Sequence, residues 1–137
     1  MLYQATCVAI DGRAVLIEGP PGSGKTSLAL ALIDRGARLV GDDGVLLELH
    51  EDGRAWASPA PRIRGKIEIR NVGIAEIEPV NAPLALILGL DVSAPRFVET
   101  APSREILGVD IPVLAFSPLG PVGALRAEYA LRLHGLD

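Results

Sequence analysis

Apolar and polar positions fall into short periodic runs along this chain, and each run predicts an element. Arg13 to Ile17 is an apolar run that ends in Gly19, Pro20, Pro21 and Gly22, which predicts a buried strand entering a turn. From Lys25 to Arg35, Leu28, Ala29, Leu32 and Ile33 recur at helical spacing with Gly36 as a stop, so a helix follows the turn. Ala37 to Gly41 is too short for a helix and carries Leu39-Val40; it predicts the next buried strand, ending at Asp42-Asp43. Val45 to Leu49 and Arg54 to Ser58 flank Glu51-Asp52-Gly53 and predict a β-hairpin, because Asp-Gly favours the turn. Arg62 to Arg70 alternates strictly, with charge at Arg62, Arg64, Lys66, Glu68 and Arg70 and with Ile63, Ile67 and Ile69 on the other face, the period of a half-buried strand. Leu84 to Leu90 predicts another strand, ending at Asp91. After Pro121 the pattern Val122, Leu125, Tyr129, Leu133 predicts a closing helix.

These elements predict an α/β or α+β domain with a mixed sheet, since a hairpin and an alternating strand do not fit a purely parallel, doubly covered one. With 137 residues and no internal repeat, low-complexity run or Ser/Gly linker, one domain over residues 1–137 is expected. Mean hydropathy is positive at +0.34. The charge-free apolar stretch Pro79 to Leu90 is nevertheless well short of the ~20 residues of a membrane span. Met1 to Ile10 lacks the basic start of a secretory signal, and the lone Cys7 closes no internal disulfide, so the expected location is the cytoplasm. Thirteen basic residues against seventeen acidic ones, a net charge of −4, leave no cationic field for nucleic acid. Any phosphate must be bound locally.

Gly19-Pro20-Pro21-Gly22-Ser23-Gly24-Lys25-Thr26 fits G-x-x-x-x-G-K-[ST] and lies between a predicted strand and a predicted helix. Glycines let the backbone wrap phosphates closely, and the amides of about Gly22 to Thr26 converge there with the helix N-terminus. Pro20 and Pro21 have no N–H to give. Lys25, one of only two lysines in the chain with Lys66, would reach the β- and γ-phosphates, and Thr26 would offer its hydroxyl to Mg²⁺. Turnover also needs a carboxylate near the metal and a group for the acceptor proton. Asp42-Asp43 at a strand end suits metal contact plus general-base work, with Asp91 as runner-up. If the alternating strand faces the loop, Glu68 joins the metal shell while Arg64 and Arg70 hold phosphate or an acidic partner. His50 and His134 stand alone and are read as surface residues.

Three stretches together resemble the HPr kinase/phosphorylase family, in the short, single-domain form of its C-terminal catalytic domain. They are Ala14 to Thr26, the run from Arg35 to Asp43, and Ile67-Glu-Ile-Arg-Asn-Val-Gly-Ile74, the last resembling the signature E-I-R-G-L-G. Ser103-Arg-Glu-Ile-Leu-Gly108 is similar to the short-form members. The resemblance implies the fold of the phosphoenolpyruvate carboxykinase nucleotide domain and a kinase that transfers the γ-phosphoryl of ATP to a serine of the carrier protein HPr, in some members reversibly. Gly19 to Thr26 would bind ATP, Lys25 would serve catalysis, Thr26 and Glu68 would hold Mg²⁺, and Asp43 would accept the serine proton. An Arg before the tail is implied as well, for which Arg96 is the nearest candidate by position. Homo-oligomers, often hexamers, are expected.

The chain departs from the family in four places. Gln4 stands where the family has a His, and Gln does not titrate near neutral pH. Asn71 replaces the signature Gly, no Arg-rich dephosphorylation loop is recognisable from Ile111 to Leu119, and the N-terminal domain of longer members is missing. Two other readings therefore stand beside the kinase: a nucleotide-binding regulator with a degenerate catalytic site, and another P-loop NTPase, although Asp91 is followed by Val92 where ring-forming ATPases carry an acid.

Overall fold

The apolar runs become the central strands of one large mixed sheet. The computed structural model describes all 137 residues. Its strands are β1 (Leu2–Tyr3), β2 (Thr6–Ile10), β3 (Arg13–Glu18), β4 (Arg38–Gly41), β5 (Val45–Leu49), β6 (Ala55–Pro59), β7 (Lys66–Ile69), β8 (Gly73–Glu76), β9 (Ala82–Leu90), β10 (Ser103–Ile106) and β11 (Val109–Phe116). Two helices, α1 (Lys25–Asp34) and α2 (Gly123–His134), complete the chain. The main sheet runs β1-β5-β6-β9-β3-β2-β4. β3 and β11 flank β9 in parallel, whereas β2 pairs antiparallel with both β3 and β4. β7 and β8 form a separate antiparallel ribbon.

The central strands are apolar on both faces because both are covered. Val15 and Ile17 of β3 join the core beneath α1 and α2, while the intervening Ala14 and Leu16 join a second core closed by β5, β6, β10 and β11. The mixed α/β class expected from the element order is what the fold shows. The predicted hairpin is β5–β6, with Leu47 opposite Ala57.

Three expectations are corrected. The alternating segment is not one strand: Pro61–Ile63 forms a 3₁₀ turn, and pairing begins only at Lys66. Gly65 at φ +72° breaks the run, and a Cβ there would lie 2.7 Å from the Ile77 carbonyl oxygen. The closing helix exists, but Val122, Leu125, Tyr129 and Leu133 are exposed, and its core face is Ala124, Ala127, Ala130 and Leu131. Three alanines let α2 lie close to its neighbours, and of its leucines only Leu131 is buried. Finally, the periodic runs do not predict β1, β2, β8, β10 or β11. The β2–β3 turn is Asp11-Gly12 at φ +50° and +79°, a signal of the favoured type. The β10–β11 turn is Leu107-Gly108, and Leu at φ +52° is not a turn residue that sequence rules recognise.

No helix is long and apolar enough to cross a membrane.

Candidate active site

Four strand or helix ends meet at one cavity of about 310 Å³ with no hydrophobic lining residue. The loop from Gly22 to Ser27 forms its floor, Asp42 and Asp43 follow β4, Thr6 opens β2, and Glu68 and Arg70 come from the β7–β8 ribbon. Gly24 at φ +102° precedes α1, a conformation that lets the loop turn directly into the helix. No side chain caps that helix end, so its first amides remain available to an anion. Lys25 Nζ donates to the Gly19 carbonyl at 2.6 Å, folding the ammonium back over the loop. Ser23 Oγ is buried with no hydrogen-bond partner.

Asp42 ties the segments together. Its Oδ1 accepts from Thr26 Oγ1 at 2.9 Å and from Thr6 Oγ1 at 3.2 Å, and its Oδ2 accepts the backbone N–H of Glu68 at 3.2 Å. Asp43 beside it is exposed, holds φ +66° and accepts no hydrogen bond. Left-handed backbone at a non-glycine residue is a feature that clusters at functional sites, though Asp tolerates it better than most.

At the loop's entrance, the Tyr3 hydroxyl donates to Glu18, and Arg104 Nη1 donates to Tyr3 Oη at 2.7 Å and to the Glu18 carboxylate oxygens at 2.9 and 2.8 Å. Burial, and then the Glu18 carboxylate, push the Tyr3 hydroxyl up to about 12. Glu18 holds the Arg104 guanidinium more firmly protonated.

The structure thus brings Lys25, Thr26, Asp42, Asp43, Glu68 and Arg70 to one cavity. Arg64 pairs instead with Glu78 at 3.6 Å on the exposed surface. Asp91 is a turn residue whose Oδ1 accepts the Ser93 N–H at 2.8 Å, and it does not line the phosphate cavity. Arg96 lines a different cavity, beside Phe97, Phe116 and Tyr129. Gln4 is exposed and lies outside the phosphate cavity. His50 stacks on Trp56 with ring centroids 4.8 Å apart, and His134 lies near the end of α2. Sequence reasoning missed Thr6, for which the one trace is a polar residue opening the otherwise apolar run Thr6–Ile10.

The residues fit a phosphate-borne magnesium ion. No three His, Cys, Asp or Glu side chains converge as a protein cage. Mg²⁺ on a nucleotide does not need one, because one or two carboxylates, water and phosphate oxygens complete its shell. An all-polar cavity with an unpartnered buried hydroxyl suits that arrangement.

Comparison with known proteins gives consistent matches. The family described as HPr Serine kinase C-terminal domain matches residues 1–82, a stretch that holds the whole cavity but not Arg96. HPr kinase/phosphorylase of Streptococcus thermophilus is 44% identical over 70 residues, 51% of this chain and 23% of that protein. The Streptococcus agalactiae protein of the same description is 44% identical over 68 residues, covering 50% and 22%. The matched stretch therefore spans about a quarter of the length of these curated relatives. The solved structure of the Hpr(Ser) kinase/phosphatase from Coxiella burnetii superposes with a TM-score of 0.82 at 28% identity, over 96% of this chain and 88% of that one.

Proposed function

The chain belongs to the family of HPr serine kinase C-terminal domains, and from that membership and the cavity's geometry we propose that it is an ATP- and Mg²⁺-dependent kinase for a serine of an HPr-like carrier protein. The observation that carries this reading is the convergence of Thr26 and Glu68 on Asp42 at the mouth of the phosphate loop. When bound, the cation would neutralise charge on the triphosphate and polarise the transferred group. The chain's own residues do the rest. The loop amides and the N-terminus of α1 hold phosphate oxygens, and Lys25 exchanges the Gly19 carbonyl for them. Thr26 and Glu68 hold the cation.

The two aspartates divide the remaining work. Asp42 already spends lone pairs on three donors, so it orients; Asp43 accepts none, so it is free to take the serine proton as the oxygen attacks. Purified protein incubated with labelled ATP, Mg²⁺ and its cognate HPr should yield phosphoserine, and Asp43→Ala should cut transfer by about 100-fold or more. No phosphoserine, or unchanged transfer in the variant, overturns the reading.

Exposed Gln4, in place of a titratable His, favours one alternative: a nucleotide-binding regulator that binds ATP with little turnover. Calorimetric titration with ATP beside the transfer assay separates the two. Reversal by phosphorolysis has less support, since Ser117–Leu119, where Arg126 Nη2 donates to the Ser117 and Leu119 carbonyls, offers no arginine of its own.

A further inference from the structure

One donor to Asp42 has no task in the scheme above. Thr6 is 1% exposed, the one buried polar residue among the core side chains, and its Oγ1 reaches only Asp42 Oδ1. A buried hydroxyl is costly to keep unless its proton is accepted, so the core tolerates Thr6 because Asp42 is there. The dependence runs the other way too. No Lys or Arg pairs with Asp42, so neutral donors alone fix the plane of its carboxylate.

That plane matters to the two proposed cation ligands. With its proton given to Asp42 Oδ1, the Thr26 hydroxyl must turn its lone pairs away from the carboxylate. With its N–H on Oδ2, the backbone at Glu68 is tied to the end of β4. A carboxylate free to rotate would release both.

We propose that Thr6 is a positioning residue of the phosphotransfer site, holding the Asp42 carboxylate in the orientation from which it directs Thr26 and Glu68 toward the cation. This rests on the functional reading given above. Thr6 acts through Asp42 and touches neither nucleotide nor cation.

Two variants test it. Thr6→Val keeps the side-chain shape and suits a strand, but deletes the hydroxyl. Thr6→Ser keeps the hydroxyl and deletes the methyl. The probe is Mn²⁺, with free ion counted by electron paramagnetic resonance in the presence of ATP, beside calorimetric titration of ATP without divalent cation. Loss of one hydrogen bond should weaken Mn²⁺ binding about 3- to 10-fold in Thr6→Val, leave cation-free ATP affinity unchanged, and leave Thr6→Ser within about twofold of wild type. The concentration of Mg²⁺ giving half-maximal transfer should rise in parallel. Wild-type Mn²⁺ affinity in Thr6→Val overturns the proposal, and so does an equal loss in both variants, which would assign the effect to methyl packing. A wild-type chain that binds no Mn²⁺ with ATP overturns the functional reading itself. One that binds Mn²⁺ normally while Thr6→Val is silent overturns only the role of Thr6.

Discussion

Asp42→Asn tests whether the hydrogen-bonded hub stabilises the resting fold. Both oxygens of Asp42 accept, Oδ1 from two hydroxyls and Oδ2 from the Glu68 N–H. Asparagine offers one accepting oxygen and one donating nitrogen. If its oxygen faces the hydroxyls, its NH₂ meets the Glu68 N–H, donor against donor. If its oxygen faces Glu68, both threonines must reverse and accept. Either way one bond is lost or inverted, and the others lose the help of a full charge. Hydrogen bonds to charged groups are worth ~1.5–3 kcal/mol against ~1 kcal/mol for neutral ones, so a net loss of about 2 kcal/mol is expected at this half-buried site. For 137 residues, an unfolding entropy of ~2.1 cal/mol/K per residue turns that loss into a fall in Tm of about 7 °C. Scanning calorimetry without nucleotide or divalent cation reads it. A variant as stable as wild type, or more stable, refutes the reasoning: repulsion from neighbouring Asp43 and Glu68 would then outweigh the three donors.

Two further outcomes follow from particular residues. Asn71 sits at φ +67°, where the family signature has Gly, so Asn71→Gly should leave stability nearly unchanged while Asn71→Val costs about 1–2 kcal/mol, read by urea midpoints; equal effects would show that the backbone conformation is not what selects Asn. Tyr3 is raised from 10.0 to about 12, so the folded state holds its proton more tightly and its contribution, complete below pH 10, is lost between about pH 10 and 12. Tyr3→Phe should therefore lose less stability than wild type across that window, and identical alkaline limbs would refute it.

Much of the fold was legible because its signals are local. The β3–loop–α1 unit, the β4 strand just before Asp42 and the β5–β6 hairpin each lie within a few residues of the turn chemistry that announces them. Two of the failures share a cause: contacts outside the segment decided the outcome. On α2 the 3.6-residue period is correct, but the face that packs on the core is Ala124, Ala127, Ala130 and Leu131. Val122, Leu125 and Leu133 outrank alanine in hydropathy, and Tyr129 continues their spacing, so the pattern selects the outward stripe. In the segment from Arg62 to Arg70, strict alternation is compatible with a single strand, and only the close approach of Ile77 to Gly65 shows why the chain turns there.

The site divides in the same way. Gly19 to Thr26 is a contiguous motif, and Asp42-Asp43 stands at the next strand end, so both could be read along the chain. Thr6 and Asp42 are 36 residues apart, and Glu68 is 26 beyond Asp42, so no spacing rule joins them. The hydrogen-bond pattern also separates two carboxylates that their position at a strand end alone leaves equivalent. Asp42 is held by three donors, whereas the exposed Asp43 accepts none. Because Gln4 cannot carry a proton, the kinase reading proposed above rests its proton transfer on Asp43 alone, which makes Asp43→Ala, and not a change at residue 4, its decisive test.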